Sequence, residues 1–145
     1  MTGPVAAFLP DGRRLHLQHG PIDLVLQAFG APDEVAAAYR QALDCFRGVL
    51  AELVAELPTL RRPASPDLPL RGAVARRMLA AVLPHLPQFV TPMAAVAGAV
   101  ADHVLAAMTA GRRLERAYVN DGGDIAIHLA PGSHFEIGVV TRVDR

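Results

Sequence analysis

The sequence predicts an α/β (α+β) fold in which an antiparallel sheet is covered by a long amphipathic helix and by a buried helix of small residues. Three observations support this class. Apolar and polar residues alternate near both ends of the chain, as in half-buried strands. Apolar residues recur every three or four positions over residues 33–57, and an alanine-rich segment follows over residues 93–110.

The N-terminal part predicts an antiparallel meander. Residues 5–9 form a short apolar run, and Pro10-Asp11-Gly12 is a turn sequence. After a second turn at His19-Gly20-Pro21, alternation resumes at Ile22, Leu24 and Leu26. Short strands separated by such turns are typical of neighbouring antiparallel strands.

Three helices are predicted in the middle of the chain. The first covers about 33–57, with Asp33 and Glu34 in its first turn and Pro58 after its end. A shorter helix covers 72–83, and the small-residue helix covers 93–110 with Gly111 as its C′ residue. The proline-rich segment 58–71 between them predicts a surface loop.

The C-terminal part predicts three further strands. Residues 115–120 form the first, and Ile125, Ile127 and Leu129 are expected to point inward from the second. Phe135, Ile137 and Val139 predict a third. A sheet with open edges and an uncovered face is prone to aggregate. We therefore expect a C-terminal half or a second polypeptide to cover this sheet, and we expect the protein to be an oligomer.

Composition excludes several function classes. With 52% hydrophobic and 19% charged residues over 145 positions, the chain is long and apolar enough for a folded domain. All fourteen basic residues are arginine, so no lysine is present for a Walker-type phosphate loop or a Schiff base. No basic stripe predicts a nucleic-acid partner. The single cysteine, Cys45, permits no internal disulfide and fits a cytoplasmic location, and Asp102 within the apolar window 89–108 argues against a membrane span.

The most informative candidate site is the turn Asn120-Asp121-Gly122-Gly123-Asp124. Its glycines allow close approach of a ligand to the backbone, and its polar side chains could bind ribose, a base or a hydrated cation. An ordinary hairpin turn has the same residues. Thr91 before Pro92 could bind an anion at the start of the helix or act as a simple N-cap. Asp102 is expected to need a partner if it is buried, and His103, next to it on the helix, points to a different face, so one of the two could face the cleft. His128 and His134 flank a turn and could be near each other, but two histidines without a third ligand make a weak metal site.

Two segments resemble the ApbE-type FAD:protein FMN transferases and an uncharacterised, similarly folded bacterial and archaeal branch. They are FVTPMAAVAGAVADHVLAAM and ERAYVNDGGDIAIHLAPG. Gly98 and Asp102 match a helix pattern close to GGIAKGYAVD, and residues 120–125 match a motif close to NAGGDI, with Asp121 replacing the small residue. The resemblance to the uncharacterised branch extends over most of the chain, including LPDGRRLHLQHGPIDL, so residues 1–145 are interpreted as the N-terminal portion of one ApbE-like domain.

The resemblance implies a site for a phosphorylated or carboxylated small molecule, with FAD or FMN and Mg²⁺ as candidate cofactors. The cofactor-binding residues it implies are Thr91, Gly98, Asn120, Asp121, Gly122, Gly123 and Asp124. Ala97 replaces the lysine of the transferase helix, and the transferases' metal-binding carboxylates belong largely to a C-terminal half. Three hypotheses stay open: a subunit of a group-transfer enzyme, a non-catalytic ligand-binding or assembly protein, and a metal-assisted hydrolase. No catalytic residue or metal ligand is assigned.

Overall fold

The protein has an α+β fold, as the sequence predicts. A computed structural model describes residues 3–136. Its five antiparallel strands lie in the order β1-β2-β3-β4-β5, with bounds Val5–Phe8, Leu15–His19, Ile22–Gly30, Leu114–Asp121 and Asp124–Leu129. The helices are α1 (Pro32–Ala55), α2 (Leu57–Leu60), α3 (Ala73–Val82) and α4 (Val96–Thr109), with 3-10 helices at Leu83–His85 and Pro92–Ala95.

The strands from the two ends of the sequence join in the middle of one sheet. β3 pairs with β4, so that Leu26 lies opposite Val119 although the whole helical region separates them in sequence. The helices of that region pack on one face of the sheet, called here the helix face. Its buried residues include Leu17, Leu24 and Val119.

The long helix α1 confirms the predicted helix to within two residues at each end. Pro32 lies in its first turn, where a missing N–H costs nothing, and Asp33 and Glu34 are favourably placed near its N-terminus. Its buried stripe comprises Ala38, Tyr39, Ala42, Phe46, Val49, Leu50 and Leu53. Burying this stripe against the sheet and α4 forms the main core of the molecule.

The predicted small-residue helix divides into the 3-10 helix Pro92–Ala95 and α4. By length and composition the stretch Pro92–Thr109 could cross a membrane, but in the fold Ala99, Val100 and Val104 are buried in the main core. Gly111, at φ 68°, follows the helix as the predicted C′ residue. Close approach at Gly98 is not observed, because a Cβ added there would meet no atom within 4 Å.

The proline-rich segment is less loop-like than predicted. Its first residues belong to α2, and Leu60, Ala64 and Leu68 are buried. Ala64 and Leu68 pack with Leu79 and Val82 of α3 in a small second core. The prolines prevent a long helix, but the apolar residues between them still anchor the segment to the fold.

The predicted orientation of β5 is wrong. Ile125, Ile127 and Leu129 are 55%, 43% and 45% exposed, whereas Ala126 is buried on the helix face. The surface away from the helices, called here the open face, carries Val25, Phe29, Tyr118, Ile125, Ile127 and Leu129. These larger side chains therefore face away from α4.

The described residues after β5 return over the open face, and Phe135 does not belong to a strand. The Phe135 ring packs edge-to-face on Phe29 and on Tyr118, with centroids 5.9 Å apart in both pairs. The Arg116 guanidinium lies 4.2 Å from the Phe29 centroid and 4.9 Å from the Phe135 centroid. Ile137 and Val139 lie outside the described residues.

Candidate functional site

An apolar cavity of about 430 Å³, called here the central cavity, lies between the helical layer and the ends of β3 and β4. Its walls come from the end of α1, from α2, from the start of α4 and from the segment that opens β3. The lining residues are Pro21, Ile22, Leu50, Leu53, Val54, Leu57, Arg61, Met93, Val96, Ala97, Val100 and Asp121. Ten of these twelve are apolar, so the two charged residues define the polar chemistry of the cavity.

Asp121 brings one of the charges to the cavity at the last position of β4. Burial, followed by the nearby carboxylates of Asp124 and Asp23, raises the pKa of its carboxyl to about 6. Desolvation and like charges both disfavour the ionised form. Asp121 is therefore still mostly ionised at pH 7, but it gains a proton under mildly acidic conditions.

Arg61 brings the opposite charge from the residue that follows α2. Its backbone N–H donates to the Leu57 carbonyl oxygen at 3.1 Å, which fixes the main chain at this point. The side chain is exposed and makes no ion pair with another residue of the part that the structure describes. Arg61 and Asp121 do not form an ion pair with each other, so both charges remain available to a ligand.

The Asn120–Asp124 turn divides its polar side chains between the two faces of the sheet. Asn120 lies in register with Val25 and Ile125 on the open face, while Asp121 lies on the helix face. The Asn120 Oδ1 accepts the Gly123 backbone N–H at 2.8 Å, which leaves that amide unavailable for phosphate. Gly122 and Gly123, at φ 59° and 106°, are exposed in a tight hairpin. Of the five predicted residues in this turn, only Asp121 lines the central cavity.

Thr91 and Gly98 do not border this cavity either. Thr91 occupies the N-cap of the 3-10 helix Pro92–Ala95, but its side chain makes no capping hydrogen bond. Its carbonyl oxygen accepts the Ala94 N–H at 3.1 Å. The structure therefore brings Asp121 together with the start of α4, near Ala97, instead of with Thr91 and Gly98.

The other predicted polar candidates are dispersed. Asp102 is exposed on α4, so the expected buried partner is not needed. Burial lowers the pKa of the half-buried His103 imidazole, and the Arg77 charge lowers it further. Burial raises the pKa of the Cys45 thiol, which disfavours a reactive thiolate. Within residues 3–136 no group of three or more His, Cys, Asp and Glu side chains could hold a metal ion.

A second, wider groove of about 620 Å³ lies at the other end of α1. Aromatic residues Phe8, Phe29 and Tyr39 line it. The Tyr39 hydroxyl donates to the Arg13 carbonyl oxygen at 2.6 Å and accepts the Ala28 N–H at 3.2 Å, so it is already used by the protein. This groove also has one cation and one anion, the exposed Arg13 and Glu115, but no residue of the predicted turn lines it, whereas the half-buried Asp121 of that turn lines the central cavity.

Sequence reasoning missed Arg61 and most of the apolar wall. Arg61 belongs to one of several Arg-Arg pairs, and no spacing distinguishes it. The wall could have been suspected from Leu50 and Val54, which widen the apolar surface of α1 near its C-terminus. Val54 remains 51% exposed, as expected for a side chain at a cavity mouth.

Fold and cavity together define a small α+β protein with an apolar, ligand-sized cavity that carries one carboxylate and one guanidinium. The chain belongs to the family described as AbpE bacteria, whose family model matches residues 6–145. No curated protein and no solved structure gives a significant match.

Proposed function

We propose that this protein is a member of the ApbE-like superfamily that binds a phosphorylated or carboxylated small molecule, with a flavin nucleotide as the first candidate, in the central cavity. The observation that carries the proposal is the half-buried Asp121 facing an apolar cavity that also has the exposed Arg61. Small-molecule sites are typically apolar and contain a few polar groups that orient the ligand.

The chemistry of the lining residues suits a flavin. The apolar walls can pack on a ring system, an ionised Asp121 accepts a ring N–H, and Arg61 can bind a phosphate by two parallel hydrogen bonds. A volume of about 430 Å³ is within the usual range for small ligands. Residues 3–136 do not by themselves offer a Mg²⁺ site, so we assign no metal-dependent step to them. A metal-assisted hydrolase would need a carboxylate cluster supplied by further polypeptide.

Ala97 provides the test of this cavity. An Ala97→Trp variant should fill the cavity from α4 and weaken FMN binding at least about tenfold, measured by flavin fluorescence titration at pH 7.5. Ala106→Trp is the matched control, because Ala106 is exposed on the same helix and does not line the cavity. Absence of FMN binding to the unmodified protein, or equal affinity in the two variants, would show that the assignment is wrong.

A second candidate function is that of an assembly subunit, and the open face favours it. Ile125, Ile127 and Leu129 form an exposed apolar row next to Tyr118. Contiguous exposed apolar surface of this kind marks protein contacts. We propose that its occupant is further polypeptide of the same ApbE-like fold, either a C-terminal half or a second chain, which would also supply groups for any transfer reaction. We further propose a cytoplasmic location, which the single half-buried Cys45 fits.

A further inference from the structure

We propose that the central cavity selects a bipolar ligand and fixes its orientation, with an N–H donor at Asp121, an anionic group at Arg61 and an apolar body between them. This inference deepens the proposed function and rests on it. It concerns the order of the groups along the ligand, which a flavin nucleotide would satisfy but which other compounds could satisfy as well.

The charge pattern of the lining residues supports this order. Asp121 and Arg61 are the two charged residues among the twelve that line the cavity, and they come from different parts of the fold, the end of β4 and the residue after α2. An ionised carboxylate only accepts hydrogen bonds, whereas a guanidinium only donates them. The two polar points of the cavity therefore require opposite groups on the ligand.

The surroundings of Asp121 exclude the reverse orientation. Asp124 lies opposite it across the hairpin, and Asp23 on the neighbouring strand is near enough to affect its ionisation. The Asp23 Oδ1 lies 2.7 Å from the His16 Nε2 on the open face, so this carboxylate already has a hydrogen-bond partner. Within residues 3–136 Asp121 makes no ion pair. An anion near Asp121 would meet repulsion from three carboxylates, whereas a donor group would be attracted.

Four probes with the same ring system separate the two contributions. They are naphthalene, 1-naphthylamine, 1-naphthalenesulfonate and 5-aminonaphthalene-1-sulfonate, with affinities measured at pH 7.5 by fluorescence. We expect the probe with both groups to bind most tightly, with each group improving affinity about three- to tenfold, because charge-assisted hydrogen bonds are strong but both protein groups are partly solvated. Arg61→Gln should weaken only the preference for the sulfonate, and Asp121→Asn only the preference for the amine, because each substitution removes the charge and keeps a neutral hydrogen-bonding group.

Exposed residues outside the cavity provide matched controls. Arg62→Gln and Asp102→Asn remove charges of the same two signs at positions that do not line the cavity, so both variants should keep the preference for the bipolar probe. If all four probes bind equally and Ala97→Trp still weakens them, the cavity is a ligand site but the inferred polarity is wrong. If Ala97→Trp leaves every affinity unchanged, both this inference and the proposed site are wrong.

Discussion

Asp121 is the residue at which local structure and chemistry meet most closely. Its folded pKa of about 6 lies above the ordinary value of 3.8, so its ionised form is less favourable in the folded protein than in the unfolded chain. The resulting loss of stability develops as pH rises from about 4 and is complete above about pH 6.5. As pH rises from 3.5 to 8, the Tm of the Asp121→Asn variant should therefore increase by about 2–4 °C relative to the Tm of the unmodified protein. The effect is modest because the side chain is partly solvated.

Asp11 provides a control, because its pKa is shifted in the opposite direction. Hydrogen bonds from the backbone N–H groups of Arg14 and Arg13 lower the pKa of its carboxyl to about 2. Its contribution to stability is present above pH 3.8 and is lost as pH falls towards 2. Asp11→Asn should therefore be less stable than the unmodified protein at pH 7, and this difference should diminish in acid. If the stability differences of the Asp121→Asn and Asp11→Asn variants from the unmodified protein changed with pH in the same direction, the assigned environment of Asp121 would be wrong.

At the residue scale the sequence predicts the turn, but it does not predict which of its side chains lie on the helix face and which lie on the open face. Asn-Asp-Gly-Gly predicts a hairpin, and the hairpin is observed, closed by the Asn120 side chain. Whether Asn120 or Asp121 faces the helices depends on the register of β4 against β3, which places Asn120 opposite Val25. A one-residue change of register would exchange the two. Arg61 could not be identified because its role depends on where the chain passes after α2.

At the scale of elements, periodicity predicted the helices well because each helix buries one stripe. It could not predict how the elements are tied together. The Glu56 carboxylate, just after α1, accepts the backbone N–H groups of Arg71 at 2.6 Å and Gly72 at 2.9 Å at the start of α3. The outward orientation of β5 also escaped prediction, because the rule that larger apolar residues face the core fails when α4 lies over the small Ala126 and the larger side chains occupy the open face.

Gly98 offers a test of α4 as an element. The residue lies within the helix, and a Cβ would enter open space. Gly98→Ala should therefore raise the free energy of unfolding by about 0.5–1 kcal/mol, since alanine is the better helix former and restricts the unfolded chain. Gly122→Ala, at φ 59°, should instead destabilise the protein by about 1–2 kcal/mol. Urea unfolding measures the free energy of unfolding of both variants. Reduced stability of the Gly98→Ala variant would show that this face of α4 packs closely against other atoms, and that there is no open space for a Cβ.

At the scale of the whole molecule, the decisive event is the pairing of β3 with β4 across the helical insertion. No local pattern specifies it, yet it creates both the central cavity and the open face. The cavity forms where the ends of these strands meet α1 and α4. The open face forms because every helix with contacts to the sheet lies on its other side. One layer of helices therefore leaves the sheet half covered within the described residues.

The open face leads to a prediction about the assembled state. We expect the purified chain to have a native mass above the 15.4 kDa of one copy, because an apolar surface of this kind favours association with further polypeptide. Ile127→Lys together with Leu129→Lys should return the mass to 15.4 kDa without lowering Tm by more than a few degrees, since both side chains are largely exposed. Ala106→Lys, on the exposed side of α4, should leave the assembly intact. A protein of 15.4 kDa before any substitution would show that the open face does not join copies of this chain, and the assembly role would then require a different polypeptide.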